Sequence, residues 1–220
     1  MGCLCDVGQV VLVVSPHPDD EAIGCGGTIV RHVEQGDRVR VLFLTSGENG
    51  GHGRAPEEMG PIREQEARMA AEVLGIEAVL FWRLTDGGVQ VTPELAGRLR
   101  EIVTGLGAAR VYVPHAAEWH PDHQASATLV KAAIQGLDID VFGFEVWTPL
   151  TIIDEKVDIT GVVERKRAGI RAHRSQCELL SYDDAALGLA RYRGEFHNWP
   201  TRGYAEVFQR LAAGPGRDRG

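Results

Sequence analysis

The sequence predicts an α/β fold built on a doubly wound, mostly parallel sheet, and three observations lead to this prediction. Short apolar runs rich in β-branched residues alternate with segments of helical periodicity. Glycine or proline separates most of these segments, and no connection is long enough to suggest a linker between domains. The chain opens with a strand, a helix and a second strand, which is the unit from which parallel sheets are built.

The first four predicted strands are each followed by a helix. The strands are predicted over 9–15, 38–44, 78–82 and 110–114, and the helices over 22–35, 61–74, 92–106 and 121–135. Thr92 and Pro93 have the residue types favoured at a helix cap and in the first helical turn.

The last third of the chain changes character. Residues 140–147 and 151–154 are predicted to form two adjacent strands joined at Pro149, and residues 162–173 a helix. Beyond Tyr182 only an amphipathic segment over 204–211 stands out, and the sequence does not decide whether it is a helix or a strand. We expect one α/β domain over 1–212 and a flexible tail over 213–220, which is rich in glycine and arginine.

Composition and charge exclude several classes of protein. Of 220 residues, 44% are hydrophobic and 25% charged, as in ordinary globular proteins. The formal net charge of −8 argues against a general nucleic-acid binder, which normally presents a basic face. No apolar run is long enough to cross a bilayer. Four cysteines, at Cys3, Cys5, Cys25 and Cys177, favour a reducing compartment. We therefore expect a cytoplasmic protein without a nucleic-acid or membrane partner, and a homo-oligomer stays open.

Three polar clusters follow predicted strands. Residues 17–21 come after the first strand, residues 46–53 after the second, and residues 115–123 after the fourth. In open α/β sheets, ligands bind beyond the carboxyl ends of the strands. Residues distant in the sequence are therefore expected to meet at this edge.

The first and third clusters contain the donor types of a catalytic zinc site. His17 and Asp20 can face one ion as the loop enters the helix, and the segment 120–123, HPDH, supplies a further imidazole. This donor set suits Zn²⁺, although Fe²⁺ or Mn²⁺ could also occupy it. Either short motif alone is more often a solvated turn or a helix cap, but their joint placement favours a metal site.

These residues resemble a known family. Residues 15–27, SPHPDDEAIGCGG, together with residues 120–123, HPDH, resemble the signature of the LmbE-like, or PIG-L, N-acetylglucosaminyl deacetylases. Further segments that resemble the family are 63–75, 157–160, Lys166, 173–176 and 204–208, so that the resemblance covers about 10–208. It implies a Rossmann-like sheet and zinc-dependent hydrolysis of an N-acetylated amino sugar.

The resemblance also implies a division of labour among the site residues. His17, Asp20 and His123 match the family's metal ligands, and Asp19 matches its general base. A general base of this kind contributes about 10²–10⁴ in rate.

His120 matches the histidine that stabilises the oxyanion and protonates the departing amine. Asp122 would orient the His120 ring from behind and favour its cationic form.

Three further residues are candidates for contact with substrate: Arg63, Ser46 and His173. Arg63 is predicted at the start of a helix, where a cation opposes the helix dipole, and this favours a functional role. An ion pair with Glu66 one turn later is an equal alternative. Ser46 stands where the family often has aspartate. The resemblance implies that His173 reaches the site. Its position in the sequence alone predicts only a cationic side chain at the C-terminal end of a helix.

Two glycine-rich segments have alternative explanations. Gly24–Gly27 opens a helix without the spacing of a dinucleotide-binding loop, so close helix–strand packing is preferred, with Cys25 as a small buried side chain. Residues 47–53 fit either a mobile lid or a plain connection.

Three functions are compatible with the sequence. The first is deacetylation of an N-acetylglucosamine-type conjugate. The second is a metal-dependent amidase that acts on a thiol conjugate or another N-acyl small molecule through the same residues. The third is a metal- or nucleotide-binding module without turnover. Asp19 and the pair of His120 and Asp122 argue against the third, because binding alone does not require them.

Overall fold

The structure, a computed structural model, describes residues 8–51 and 53–212. The strands are β1 (Val10–Ser15), β2 (Arg38–Thr45), β3 (Ala78–Leu84), β4 (Ala108–Pro114), β5 (Asp140–Phe144), β6 (Glu155–Asp158) and β7 (Ala205–Ala212). The α-helices are α1 (Asp20–Glu34), α2 (Pro56–Leu74), α3 (Pro93–Leu106), α4 (Pro121–Ala133), α5 (Val163–Ala172), α6 (Arg174–Cys177) and α7 (Tyr182–His197). A 3₁₀ turn, Thr160–Val162, precedes α5.

The described strands form one sheet in the order β3-β2-β1-β4-β5-β7-β6. β1 to β5 pair in parallel, and β7 is antiparallel to both of its neighbours. The chain winds outward from β1 to β3 and then crosses to β4 on the other side of β1. This arrangement confirms the predicted doubly wound, mostly parallel fold.

Both faces of the sheet are covered by helices because the strand residues point alternately to each side. In β1, Val11 and Val13 pack in the cluster that includes α1, α2 and α5 residues. Leu12 and Val14 pack in the cluster that includes α3 and α4 residues. The continuous apolar run of β1 is therefore what a strand buried on both faces requires. None of the described helices combines the length and hydropathy that crossing a membrane would need.

The prediction for residues 140–154 was wrong in three respects. β5 ends at Phe144, residues 151–154 are not a strand, and β7 separates β5 from β6. Beyond β5, the backbone N–H groups of Val146 and Trp147 donate to the Glu118 carboxylate, so this segment forms a loop at the sheet edge. The open segment over 204–211 is strand β7, and helix α7 was not predicted.

Helix α2 begins a turn earlier than predicted. Pro56 occupies its first turn, and Pro61, predicted as the helix start, lies inside the helix. Thr92 caps α3 as expected, because its side chain accepts a hydrogen bond from Leu95 N. The tail over 213–220, with Cys3 and Cys5, lies outside the described residues, and the single domain stays a prediction.

Helix α1 is kinked at Cys25, where φ is −138° and ψ is 21°. The buried Glu206 carboxylate accepts a hydrogen bond of 2.9 Å from Gly27 N, and Lys166 Nζ donates to Ile23 O at 2.7 Å. Lys166 and Glu206 also pair directly at 2.5 Å. This buried pair satisfies backbone groups that the kink leaves without helical partners, and so fixes the first turn of α1.

The glycines of α1 allow close packing, as the sequence suggested. A Cβ atom at Gly24 would lie 2.2 Å from the Phe144 ring, and one at Gly27 would lie 2.6 Å from the Ile159 side chain. Cys25 is fully buried in the apolar core between them.

We expect Gly27→Ala to destabilise the protein by about 1–3 kcal/mol, because the new methyl group overpacks the core against Ile159. Gly188→Ala in α7 is the matched control, since nothing lies within 4 Å of a Cβ there. That variant should stabilise the protein by up to about 1 kcal/mol through helix propensity. Urea unfolding of both variants measures the difference. Equal stability of the two variants would contradict the packing described here.

Candidate active site

The strand order reverses between β1 and β4, which is the position where an open α/β sheet forms a ligand crevice. A cleft of about 310 Å³ opens there at the carboxyl ends of the strands. Its lining residues are His17, Asp19, Asp20, Asn49, Gly50, Arg63, Asp86, Gly87, His120, Trp147, Gln176 and Tyr182. The polar clusters after β1, β2 and β4 therefore converge as predicted.

Three imidazole rings meet at the floor of this cleft. The ring centroids lie 4.8 Å apart for His17 and His120, 5.4 Å for His17 and His123, and 5.0 Å for His120 and His123. Asp20 Oδ2 lies 3.1 Å from His17 Nδ1 and 3.3 Å from His123 Nε2. One carboxylate oxygen thus lies between imidazoles from two loops that are far apart in the sequence.

The donors at this floor fit a divalent metal ion. His123 is fully buried, and neither of its ring nitrogens has a hydrogen-bond partner among the described residues. Burial lowers the pKa of His123, but Asp20 and Glu118 raise it to about 9, so the surrounding carboxylates attract a cation. Asp20 and Glu118 lie 3.3 Å and 3.5 Å from the two ring nitrogens without forming well-aligned hydrogen bonds, and a bound ion would satisfy a nitrogen better. Nitrogen and oxygen donors together suit zinc and similar ions.

Two groups of described residues bring donor atoms within 4.8 Å of one another. One comprises His17, His120 and His123, and the other His17, Asp86 and Asp122. The structure thus shows a His/Asp cluster that could hold a metal ion.

Two carboxylates lie behind His17. His17 Nε2 is 3.1 Å from Asp86 Oδ1 and 3.2 Å from Asp122 Oδ2. Asp122 also accepts a hydrogen bond of 2.8 Å from Gly87 N. Burial alone would lower the pKa of His17, but these carboxylates and Asp20 hold it well above its usual value. Asp122 therefore orients His17. Its carboxylate does not lie behind the His120 ring, where the sequence analysis expected it.

His120 begins helix α4 as its N-terminal cap. Its Nδ1 accepts a hydrogen bond of 3.2 Å from Asp122 N. A ring nitrogen that accepts carries no proton, so the ring is neutral and its Nε2 is the donor. Burial lowers the pKa of His120, and so do His17 and His123. The cationic form expected from the sequence is therefore disfavoured in this structure.

Asp19 is buried and held in an uncommon backbone conformation, with φ at 136°. Such a conformation costs about 1–3 kcal/mol in a residue with a side chain and is found mainly at functional sites. Its N–H donates to Glu21 Oε2 at 3.1 Å, and its carboxylate lies 3.0 Å from Arg63 Nη2. Burial raises the pKa of Asp19 to about 6, although Arg63 opposes this shift.

Arg63 lines the cleft, so that its contact with substrate stays a prediction, but its place in the helix and its ion pair differ from the expected ones. It lies inside α2 rather than at its start, is buried, and donates to the carbonyl oxygens of Pro18 and Gly47. Glu66, its expected partner, instead accepts hydrogen bonds from Ser175. Arg63 therefore ties the loops after β1 and β2 together at the cleft.

Ser46 and His173 are not among the residues that line the cleft. Ser46 Oγ donates to Glu64 at 2.8 Å and lines a separate cavity. His173 is buried behind the first turn of α1, with its Nε2 3.2 Å from Glu21 Oε1. The expected contact of these two side chains with substrate is thus not supported by their positions.

The loop after β2 forms one wall of the cleft. Asn49 N donates to Asp86 Oδ2 at 2.9 Å, and Gln176 Nε2 donates to Gly50 O at 3.1 Å. His52 lies outside the described residues. The described part of the loop is thus held to two other elements.

Sequence reasoning missed Asp86 and Glu118. Glu118 is fully buried, and its Oε2 lies 3.5 Å from His123 Nδ1. Both residues follow the carboxyl end of a strand, and this position was the signal that could have singled them out.

Comparison with known proteins identifies the family. Residues 12–134 match the family model described as PIG-L, GlcNAc-PI de-N-acetylase. Diacetylchitobiose deacetylase from Thermococcus kodakarensis is 32% identical over 198 residues, which cover 76% of this chain and 69% of that protein. The 1D-myo-inositol 2-acetamido-2-deoxy-alpha-D-glucopyranoside deacetylase of Mycobacterium sp. (strain KMS) is 28% identical, with 78% and 75% covered.

Solved structures share the fold over nearly the whole chain. The crystal structure of GalB, the 4-carboxy-2-hydroxymuconate hydratase from Pseudomonas putida KT2440, aligns with a TM-score of 0.82 and 25% identity. The alignment covers 96% of this chain and all of GalB. The family match and the deacetylase relatives confirm the resemblance found in the sequence. The chain belongs to the PIG-L, or LmbE-like, family of N-deacetylases.

Proposed function

We propose that this protein is a zinc-dependent hydrolase that removes the acetyl group from the nitrogen of an N-acetylglucosamine-type conjugate. The observation that carries the proposal is that Asp19 and His120 open into the same cleft as the metal-binding cluster. The names of the deacetylase relatives support the substrate class. A cytoplasmic location and a homo-oligomer stay predictions.

His17, Asp20 and His123 are the proposed ligands. Asp20 contacts both imidazoles, whereas the Nδ1 atom of His120 is occupied by its helix cap. When bound, the ion would lower the pKa of water to about 7 and polarise the acyl oxygen. Zinc is proposed because two imidazoles and one carboxylate suit it, and Fe²⁺ and Mn²⁺ are compatible with the same set.

Asp19 is the proposed general base. It lines the cleft next to Asp20, and its ion pair with Arg63 holds its carboxylate in place. As Asp19 takes a proton from water, the water oxygen bonds to the acyl carbon. The C–N bond then breaks, and Asp19 returns the proton to the departing nitrogen. The second proton of the water stays on the acyl product, so that the products are the amine and acetic acid, which exchange this proton to give ammonium and acetate at neutral pH.

His120 is the proposed oxyanion donor. Its Nε2–H donates to the acyl oxygen as negative charge develops there, and such preorganised donors are commonly the largest contribution to catalysis. Because the ring is neutral, proton delivery to the amine is assigned to Asp19 rather than to His120.

The likeness to a hydratase makes a different reaction the second candidate, since one fold can carry several chemistries. The substrate in that hydratase's name is rich in carboxylates. Among the described residues that line the cleft, Arg63 alone has a permanent positive charge, and Asp19 already pairs with it. Asp20 and Asp86 add negative charge. Apart from the proposed metal ion, the described side chains of the cleft offer a polyanion no unpaired positive charge, and this favours an uncharged sugar.

We expect His17→Ala and His123→Ala to lose bound zinc, because each removes a ligand that the others cannot replace. His197→Ala, which changes a histidine on α7 that contacts Arg193, should keep the metal of the wild type. Metal analysis of the purified proteins, with thermal unfolding in added Zn²⁺, measures this. Full zinc content in both site variants would refute the assigned ligand set.

We expect Asp19→Asn to keep its metal while kcat for amine release falls by about 10²–10⁴, the usual contribution of a general base. Asparagine is chosen because it tolerates positive φ better than alanine does. Asp184→Asn, a change on the exposed surface of α7, is the control and should leave kcat unchanged.

The assay measures amine release from N-acetylglucosamine, N,N′-diacetylchitobiose and an N-acylated thiol conjugate. Full activity of Asp19→Asn would show that the base is misassigned. A wild-type protein that binds zinc but releases no amine from any of these compounds would rule out the proposed reaction. Release from the thiol conjugate alone would favour the amidase.

A further inference from the structure

Two tryptophan side chains stand exposed beside the cleft. Trp119 is 65% exposed and Trp147 is 40% exposed, although tryptophan is highly buried on average. Their ring centroids are 6.4 Å apart, and the Trp119 ring lies 5.7 Å from the ring of His120. The pair therefore begins beside the proposed oxyanion donor and extends outward.

The backbone that carries these rings is fixed by buried groups. Trp147 N donates to Glu118 Oε1 at 3.0 Å, and Trp119 N donates to Thr148 Oγ1 at 3.1 Å. His115 Nε2 lies 2.7 Å from Thr148 O. The loops after β4 and β5 are thus joined to each other, and the exposed rings project from a preorganised backbone.

The aromatic row continues into the cleft. The rings of Trp147 and Tyr182 are 5.4 Å apart, and both line the cleft. Asn49 and Asp86 lie on the loops after β2 and β3, which are on the other side of β1 in the sheet. The cleft therefore has one aromatic side and one hydrogen-bonding side. A sugar ring has the matching pattern, with an apolar C–H face and a hydroxyl edge.

We propose that Trp119 forms a stacking platform for a second saturated, hydroxylated ring of the substrate, beyond the acetylated sugar. Trp147, whose ring plane is tilted by 59° from that of Trp119 and which also lines the cleft, borders both rings. This inference rests on the proposed function. The acetyl group must reach Asp19 and His120 at the floor, so the acetylated sugar occupies the cleft itself. Trp119 is exposed and is not among the described residues that line the cleft, so that a contact with it falls to the part of a conjugate beyond the acetylated sugar. The second ring is a pyranose or a cyclitol.

The first test is binding to the metal-free protein, in which no turnover occurs. Tryptophan fluorescence is titrated with N-acetylglucosamine, with N,N′-diacetylchitobiose and with N-acetylglucosaminyl-inositol. The two-ring ligands should bind the wild type more tightly than the monosaccharide does. Trp119→Ala and Trp147→Ala should each weaken two-ring binding by about three- to tenfold, the size of one aromatic contact. The two conjugates distinguish a pyranose from a cyclitol as the second ring.

The controls separate stacking from general structural effects. Trp199→Ala removes another exposed tryptophan, away from the cleft, and should leave both affinities unchanged. Trp119→Phe keeps a flat ring and should restore most of the affinity that Trp119→Ala loses. In the zinc-loaded enzyme, Trp119→Ala should raise KM for N,N′-diacetylchitobiose at unchanged kcat and leave kcat/KM for N-acetylglucosamine unaltered.

Wild-type affinity for both conjugates in both alanine variants would overturn the platform. Equal losses for one-ring and two-ring ligands in Trp119→Ala would also overturn it, because Trp119 would then act on the cleft or the fold and not on the second ring. If binding depends on the tryptophans but no amine is released, the platform would be supported and the proposed function would be refuted. If the wild type deacetylates normally but the tryptophan variants bind the two-ring ligands as the wild type does, the platform would be refuted and the proposed function would remain.

Discussion

The site depends on the contacts of Asp20 with imidazoles from two loops that follow neighbouring strands of the sheet. Its carboxylate lies within 3.3 Å of ring nitrogens from the loop after β1 and from helix α4. Imidazoles and carboxylates packed this tightly away from water are costly unless a cation is shared among them. The buried His123, whose two nitrogens lack hydrogen bonds, shows this cost most clearly. A bound metal ion would stabilise these closely packed imidazoles and carboxylates.

The first turn of α1 carries both Asp19 and Asp20, and the rest of the molecule holds it from two directions. On one side, the buried pair of Lys166 and Glu206 secures the kink below this turn. On the other, Arg63 and Glu21 hold Asp19 in a conformation that costs free energy. One turn of helix thus offers two adjacent carboxylates with different surroundings. Only Asp20 lies against the imidazoles, and Asp19 stays available for a proton.

The sequence was sufficient to predict the parallel part of the sheet, because strands buried on both faces are continuous apolar runs and helices carry their own periodicity. It also predicted that the residues around His17 and His123 would meet, since loops at one sheet edge converge. It could not place β7, because insertion of a terminal strand between two others depends on long-range pairing.

The differences at the site have separate causes. The resemblance assigned Asp122 to the His120 ring, yet the helical start at Pro121 points the carboxylate toward His17 instead. Arg63 was predicted near a helix start because the helix was predicted to begin at Pro61, a residue type common in first helical turns. In the structure Pro61 lies inside α2. Asp86 and Glu118 belong to no recognisable motif, and only the folded chain shows that they lie behind the imidazoles.

A zinc-edge anomalous difference map from crystals of the zinc-loaded protein would test this account most directly. We expect one peak with nitrogen atoms of His17 and His123 about 2.0–2.1 Å away and an Asp20 oxygen about 2.0–2.2 Å away. A peak bound by other residues, or His17 and His123 too far apart to share one ion, would contradict it.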